Sequence, residues 1–172
     1  MDVQRYSIEE LSRKHNRNGF FCGIDELDEY LKKDARRHNS VGINSTKVLV
    51  EKGCKDIIGF FSFAAASVSP KTFSVGEKSK LPNYEIPCFR LTRFGIDGRY
   101  QGKGFGAYLL YCALKQANEM SQNIAAYAVL VDSKSEAAKA FYLKHGFQTL
   151  SGLIVYLSMK ELRGILSTLN ND

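Results

Sequence analysis

The sequence predicts an α/β (α+β) fold with a central sheet. Three observations carry that expectation. Strand-like apolar runs and segments of helical period follow one another along the chain. A strand, a glycine-rich interval and a long helix stand in direct succession between residues 88 and 121. The chain has 172 residues, 44% hydrophobic and 24% charged, the length and balance of one ordinary globular domain spanning 1–172.

The elements follow in order. Ile24 to His38, "IDELDEYLKKDARRH", repeats apolar residues at Ile24, Leu27, Leu31 and Ala35, with acidic residues at its start and basic ones at its end, and reads as an amphipathic helix. "KVLVEKGCKDIIGFFSFAAASV" reads as two strands about a turn at Lys52 to Asp56. Glu77 to Pro87 is polar and holds two prolines, so a loop is expected. Cys88 to Asp97 reads as a strand whose apolar residues Phe89, Leu91, Phe94 and Ile96 break alternation once, the mark of a bulge or kink. Gly104 to Ser121 is a helix, Ile124 to Asp132 a buried strand, and Ser135 to His145 a short helix ended by Gly146. Leu153 to Lys160 is a last strand, followed by a short polar helix.

Several classes drop out. The longest apolar run, Ile57 to Val68, falls short of the roughly 20 residues a membrane helix needs, and "MDVQRYSIEEL" has no apolar signal-peptide region. Cys22, Cys54, Cys88 and Cys112 have no zinc-type spacing, so reduced thiols in a cytoplasmic protein without a metal are expected. The net charge of +6 is compatible with a polyanionic partner.

Gly102, Gly104 and Gly106 stand at alternate positions ahead of a helix. Unpaired N–H groups in the first turn of a helix attract anions, and glycines let a phosphate approach the backbone. A P-loop is excluded because Lys103 is followed by Gly104 rather than Ser or Thr. Gly102, Gly104 and Ala107 fit G-x-G-x-x-A, yet too little sequence follows for a doubly wound sheet. A glycine turn that serves packing alone is the plain alternative.

Gln101-x-x-Gly104-x-Gly106 resembles the acyl-CoA pyrophosphate motif of the GNAT N-acetyltransferase superfamily, and "SEAAKAFYLKHGF", Ser135 to Phe147, resembles its later A-x-x-F-Y…G-F signature. "FCGIDELDEYLKKDA" and "LPNYEIPCFRLTRFGIDGRYQGKGFG" resemble two segments of TacT-like toxins, with Phe21, Phe94-Gly95 and Gly98 departing from the usual residues. The resemblance implies a central, twisted, mixed sheet with helices on both faces, splayed between its two central parallel strands, with acetyl-CoA as co-substrate. Backbone groups of Phe94, Gly95 and Ile96 would line its pantetheine arm. N–H groups from Gln101, Gly102, Lys103, Gly104, Phe105 and Gly106 would hold the pyrophosphate, with charge from Lys103 or Arg99. Lys103 reads equally well as a solvated side chain. Tyr142 would be the acid that meets the departing thiolate; without the resemblance it reads as a core tyrosine. No Glu or His stands out as a general base.

The resemblance further implies acetylation of the α-amino group of an aminoacyl-tRNA, neutralisation by a small ribbon-helix-helix antitoxin, and a homodimer. Lys32, Lys33 and Arg36, with Arg90, Arg93 and Arg99, are the candidate tRNA contacts. Arg90 and Arg93 lie on a central strand, and at least one is expected to face the acceptor groove or a second subunit. A GNAT enzyme acting on a protein or small-molecule amine, and a CoA-binding protein without catalysis, are the competing readings.

Overall fold

The computed structural model describes residues 2–169. Its seven strands form one mixed sheet in the order β1-β2-β3-β4-β5-β7-β6. The chain divides into two compact units, Met1–Ala64 with Thr92–Ala113, and Ala65–Leu91 with Leu114–Asp172.

In the first unit, β1 (Tyr6–Glu10) is antiparallel to β2 (Ser45–Glu51), which is antiparallel to β3 (Ile57–Val68). The helix read at 24–38 is present in three pieces: α1 (Asp25–Glu29), a π-helical turn (Tyr30–Asp34) and α2 (Ala35–Ser40). Its apolar stripe works as the period requires. Leu27, Leu31 and Ala35 are buried with Tyr30 in a cluster that includes Phe20, Val48, Val50 and Phe60. Phe20 and Phe60 meet edge to face at 5.4 Å, and both are fully buried. Truncating either to alanine would cost about 3–5 kcal/mol. In the π turn the Ala35 N–H reaches back to the Tyr30 carbonyl. The Tyr30 hydroxyl meets Thr46 Oγ1 at 3.2 Å, and Thr46 in turn meets Ser62 Oγ at 2.7 Å, so the buried hydroxyls satisfy one another.

In the second unit, β4 (Ile86–Ile96) enters parallel to β5 (Ala128–Asp132), with Cys88 to Leu91 in register with Ala128 to Val131. These four pairs run without a shift. Register shifts occur at Leu49/Val50 and at Thr149/Ser151. β7 (Ile154–Ser158) is antiparallel to β5 and to β6 (Gln148–Ser151). A one-turn helix α3 (Val75–Lys78) precedes β4, and α5 (Glu136–Lys144) lies between β5 and β6. Phe73, Ile86, Leu130 and Tyr156 belong to this unit's core cluster. The long helix α4 (Phe105–Met120) begins in the first unit and ends in the second.

Three expectations need correction. β1 and β6 carry too few apolar residues to be legible as strands; each lies at an end of the strand order, where one edge stays unpaired. The strand expected from Ile124 starts only at Ala128, because Ile124 is exposed and its N–H closes the end of α4 on Met120. The closing helix α6 (Met159–Leu169) is amphipathic rather than polar, burying Met159, Leu162 and Leu166 at three- and four-residue steps.

Candidate active site

β4 delivers the chain into the glycine loop. Phe94 is half-buried, while Gly95 and Ile96 are buried. A Cβ on Gly95 would stand 3.3 Å from the Phe60 ring and 3.6 Å from Phe20, so close packing of the aromatic core sets the glycine there. The Asp97 N–H still pairs with the Ile58 carbonyl at 2.9 Å, and the strand then turns through a 3-10 segment, Gly98–Tyr100.

Gly102 and Gly104 have φ of +72° and +87°. Nothing stands within 4 Å of the place where either would carry a Cβ. Glycine is therefore required by the left-handed backbone and not by crowding, and each position opens onto free space. The first intrahelical bond of α4 runs from the Tyr108 N–H to the Gly104 carbonyl. The earlier N–H groups, those of Phe105, Gly106 and Ala107, are the helix's unmatched first-turn donors. Phe105 is buried between Tyr6 and Tyr100, at centroid distances of 5.1 and 5.3 Å, and this pins the helix start.

The side chains of the loop are occupied with holding it. Gln101 Nε2 donates to the Ile96 carbonyl at 2.8 Å and to the Cys22 carbonyl at 2.9 Å. Lys103 Nζ donates to the Arg99 carbonyl at 2.8 Å. Arg99 grips Asp97 through Nε at 2.8 Å and Nη2 at 3.1 Å. Burial pushes the Asp97 carboxyl up, but hydrogen bonds from Arg99 and from the Phe21 N–H, with the guanidinium charge, outweigh it and leave the carboxyl below its ordinary value. The loop thus presents backbone N–H groups, with the Arg99 side chain still 55% exposed.

The remaining basic residues of this unit are mostly paired. Lys33 forms an ion pair with Glu29 one turn away. The Lys32 carbonyl accepts from Arg17, and Lys32 and Arg36 are half-buried. Arg93 lies over the Tyr30 ring at 4.8 Å, donates to the Thr92 carbonyl at 2.8 Å and stands 4.0 Å from Glu26. Its buried Nε has no hydrogen-bond partner among the described residues.

In the second unit, Ser135 caps α5 by accepting from the Ala138 N–H at 3.1 Å. The helix closes on Gly146, whose φ is +93°. Tyr142 is 5% exposed and packs against Phe141 and Phe147, at centroid distances of 5.2 and 5.4 Å. Burial pushes its phenol well above the ordinary tyrosine value, so it stays protonated at neutral pH. His145 Nδ1 is bound to the Phe141 carbonyl at 2.7 Å. Arg90 pairs with Asp132 on the neighbouring parallel strand. Both strand arginines expected to need a partner thus have one within their own unit. Burial pushes Cys22 up to about 12 and Cys88 up to about 11, so neither thiol is a nucleophile at neutral pH.

The structure therefore gathers Phe94 to Ile96, Gln101 to Gly106, Arg93, Arg99, Lys32, Lys33 and Arg36 in the first unit, and Tyr142 and Arg90 in the second. Sequence reasoning passed over Asp97, the buried carboxylate from which the loop hangs. Its signal was present: an Asp two residues before Arg99, directly after a strand, is placed to accept the i+2 N–H, and does so at 3.0 Å.

Among the described residues no helix is long and apolar enough to cross a membrane. Comparison with known proteins places this geometry. The chain is 28% identical to the probable toxin TacT of Sinorhizobium fredii (strain NBRC 101917 / NGR234), over 89% of this chain and 90% of that one. It is 28% identical to a tRNA-acetylating toxin of Mycobacterium tuberculosis (strain ATCC 25618 / H37Rv), over 86% and 88%. The fold matches AtaT complexed with acetyl-methionyl-tRNAfMet at a TM-score of 0.87, with 23% identity and coverage of 94% and 99%. It also matches a mutant AtaT bound to the C-terminus of the antitoxin AtaR, at 0.80 with 21% identity and coverage of 94% and 97%. Residues 44–149 match the family described as "Acetyltransferase (GNAT) domain", and the chain, an N-acetyltransferase, belongs to that GNAT family.

Proposed function

We propose that this protein is a toxin that transfers acetyl from acetyl-CoA to the α-amino group of an aminoacyl-tRNA and so blocks translation. The observation that carries the reading is the glycine loop, left-handed at Gly102 and Gly104 and opening onto the unmatched N–H groups of α4, in a chain with a relative named as a tRNA-acetylating toxin.

The residues divide the work. N–H groups between Gln101 and Gly106 receive the pyrophosphate, and the helix dipole favours its charge. The end of β4, Phe94 to Ile96, receives the pantetheine arm along its backbone, and one of its N–H groups steadies the oxyanion. The substrate nitrogen attacks the thioester carbonyl, the tetrahedral intermediate collapses, the C–S bond breaks, and the CoA thiolate takes the proton of the Tyr142 phenol; the proton that the acylated nitrogen sheds restores the phenol, so CoA leaves as the thiol. Burial keeps that proton in place until it is needed. The incoming amine supplies its own reactivity. An α-amine has a pKa near ~7.7–8.0, against ~10.4 for a lysine, and arrives substantially neutral without a dedicated base.

Arg36, Arg93, Arg99, Lys32 and Lys33 of the first unit and Arg90 of the second are the basic residues for the tRNA backbone, some already paired with Glu29 or Asp132. A ribbon-helix-helix antitoxin whose tail covers the toxin, a homodimer and a cytoplasmic setting complete the reading. We take 1–172 as one acetyltransferase domain; the family match over 44–149 runs through segments of both units, which supports it.

The test is transfer of labelled acetyl to total charged tRNA, with deacylated tRNA and a lysine peptide alongside. Label on charged tRNA alone, lost with Tyr142→Phe, is the expected result. Label on the peptide alone would replace the toxin reading with a protein-directed acetyltransferase.

A further inference from the structure

Asp97 is 2% exposed and makes four hydrogen bonds as an acceptor. Oδ1 takes the Arg99 N–H at 3.0 Å and Arg99 Nε at 2.8 Å. Oδ2 takes Arg99 Nη2 at 3.1 Å and, from the N-terminal segment, the Phe21 N–H at 3.1 Å. Around this carboxylate the same two segments are joined three more times. The Gly98 N–H donates to the Phe21 carbonyl at 2.8 Å, Gln101 Nε2 to the Cys22 carbonyl at 2.9 Å, and Arg99 Nη2 to the Gly19 carbonyl at 3.4 Å. Arg99 is in turn the acceptor, through its carbonyl, for Lys103 Nζ at 2.8 Å. A chain of bonds thus runs from residues 19–22, through Asp97 and Arg99, to the residue between the two left-handed glycines.

The far end of that chain is rigid. Phe20 is fully buried in the aromatic core, and the Cys22 N–H is held by the buried carboxylate of Asp28 at 2.8 Å. At the near end packing holds Phe105, but it does not reach Gly102 and Gly104, which have nothing within 4 Å at their Cβ positions. A loop of glycines has many backbone states, and ordering them at the moment of binding costs affinity. Between the end of β4 and Phe105, the contacts that can select the state in which the N–H groups are presented are hydrogen bonds.

We infer that Asp97 is a positioning residue for the donor site. Through Arg99 and the 19–22 segment it pre-sets the Gln101–Gly106 backbone that receives the CoA pyrophosphate, and it touches no reacting atom itself. This rests on the acetyl-CoA reading above. It also assigns a role to the N-terminal segment, which precedes the family match at 44–149: Gly19 to Cys22 buttress the donor loop.

The test compares binding of CoA with binding of pantetheine, which has no pyrophosphate, in wild type, Asp97→Asn, Arg99→Gln and a reference variant, Leu162→Ala, that loosens the remote α6 core. Wild type binds both probes; if it does not bind CoA, the acetyl-CoA reading itself fails. With CoA bound by wild type, Asp97→Asn is expected to weaken CoA about tenfold and pantetheine less than twofold. Arg99→Gln is expected to follow in the same direction by about threefold, and it carries the test should Asp97→Asn not fold. In turnover the loss appears in KM for acetyl-CoA with kcat kept within twofold. The inference is overturned if Asp97→Asn binds CoA like wild type, if it loses CoA and pantetheine alike, if kcat falls while KM holds, or if Leu162→Ala shows the same selective loss.

Discussion

The donor loop and the tyrosine helix place their functional groups by opposite means. Between Asp97 and Gly104 the side chains are scaffold, and in the proposed function the backbone is the reagent: Gln101, Lys103 and Arg99 spend their donors on carbonyls and on Asp97, which leaves backbone N–H groups as the proposed ligand contacts. On α5 the backbone is scaffold, and in the proposed function the Tyr142 side chain is the reagent. An ordinary capped helix carries Tyr142 into an apolar setting, where burial sets its protonation state. The loop is held by charge and hydrogen bonds, with open space around its glycines; the helix is held by packing. Substitutions should therefore fail differently in the two places.

The largest effect is expected on the helix. Tyr142→Phe keeps the ring among Phe141 and Phe147 and removes only the hydroxyl, so kcat should fall by roughly 10²-fold or more while KM for acetyl-CoA and Tm stay near wild type. Steady-state transfer to charged tRNA measures the first two and thermal melting the third. A large loss of Tm would blur the contrast, since it would make the hydroxyl structural.

The next effect belongs to the loop. Gly104→Ala meets no neighbour, so its cost is the left-handed backbone alone, about 1–2 kcal/mol, and it should raise KM for acetyl-CoA with little change in kcat. Gly98→Ala is the matched control. It has no positive φ and meets only the Phe21 carbonyl at 3.5 Å, so it should be nearly silent in melting and in KM.

The Asp97 hub sharpens the comparison through pH. Its folded carboxyl lies below its ordinary value, so its stabilisation is present above the unfolded pKa near ~3.9 and is lost as pH falls through the folded value. The gap in Tm between wild type and Asp97→Asn should accordingly be constant near neutrality and narrow below about pH 4. A gap that widens in acid would mean the carboxyl is raised on folding. Tyr142 stays protonated throughout that range and should contribute nothing to it.

The smallest effects concern the basic surface. Lys33 is shared with Glu29, so Lys33→Ala should make the logarithmic salt dependence of tRNA binding shallower by clearly less than one. Arg36→Ala should make its logarithmic slope shallower by about one. Filter binding across salt concentrations separates the two.

Much of this was legible in order along the chain. The helical stripe of Leu27, Leu31 and Ala35, the Ser135 cap, the Gly146 stop and the strand–glycine–helix succession are local patterns, and local patterns follow from backbone period and terminal chemistry. β1 and β6 were not legible, because an edge strand such as "YSIEE" is ordered by its neighbour rather than by its own apolar content. The π turn at Tyr30–Asp34 likewise has no sequence signature of its own here.

By itself, then, the sequence determined most of the element types, the strand–glycine–helix succession and, through its motifs, the family. Only the tertiary structure decided what each polar side chain does. From sequence Lys103 reads equally as a phosphate ligand or a solvated side chain and Arg99 as a source of charge; the structure brings Lys103 to the Arg99 carbonyl, Arg99 to Asp97, and Arg93 over the Tyr30 ring. The physical reason is range. Backbone conformation depends on a few neighbouring residues, whereas the state of a charge depends on whatever the fold brings within hydrogen-bond reach. For Asp97 that includes Phe21, distant in the chain and 3.1 Å away in space.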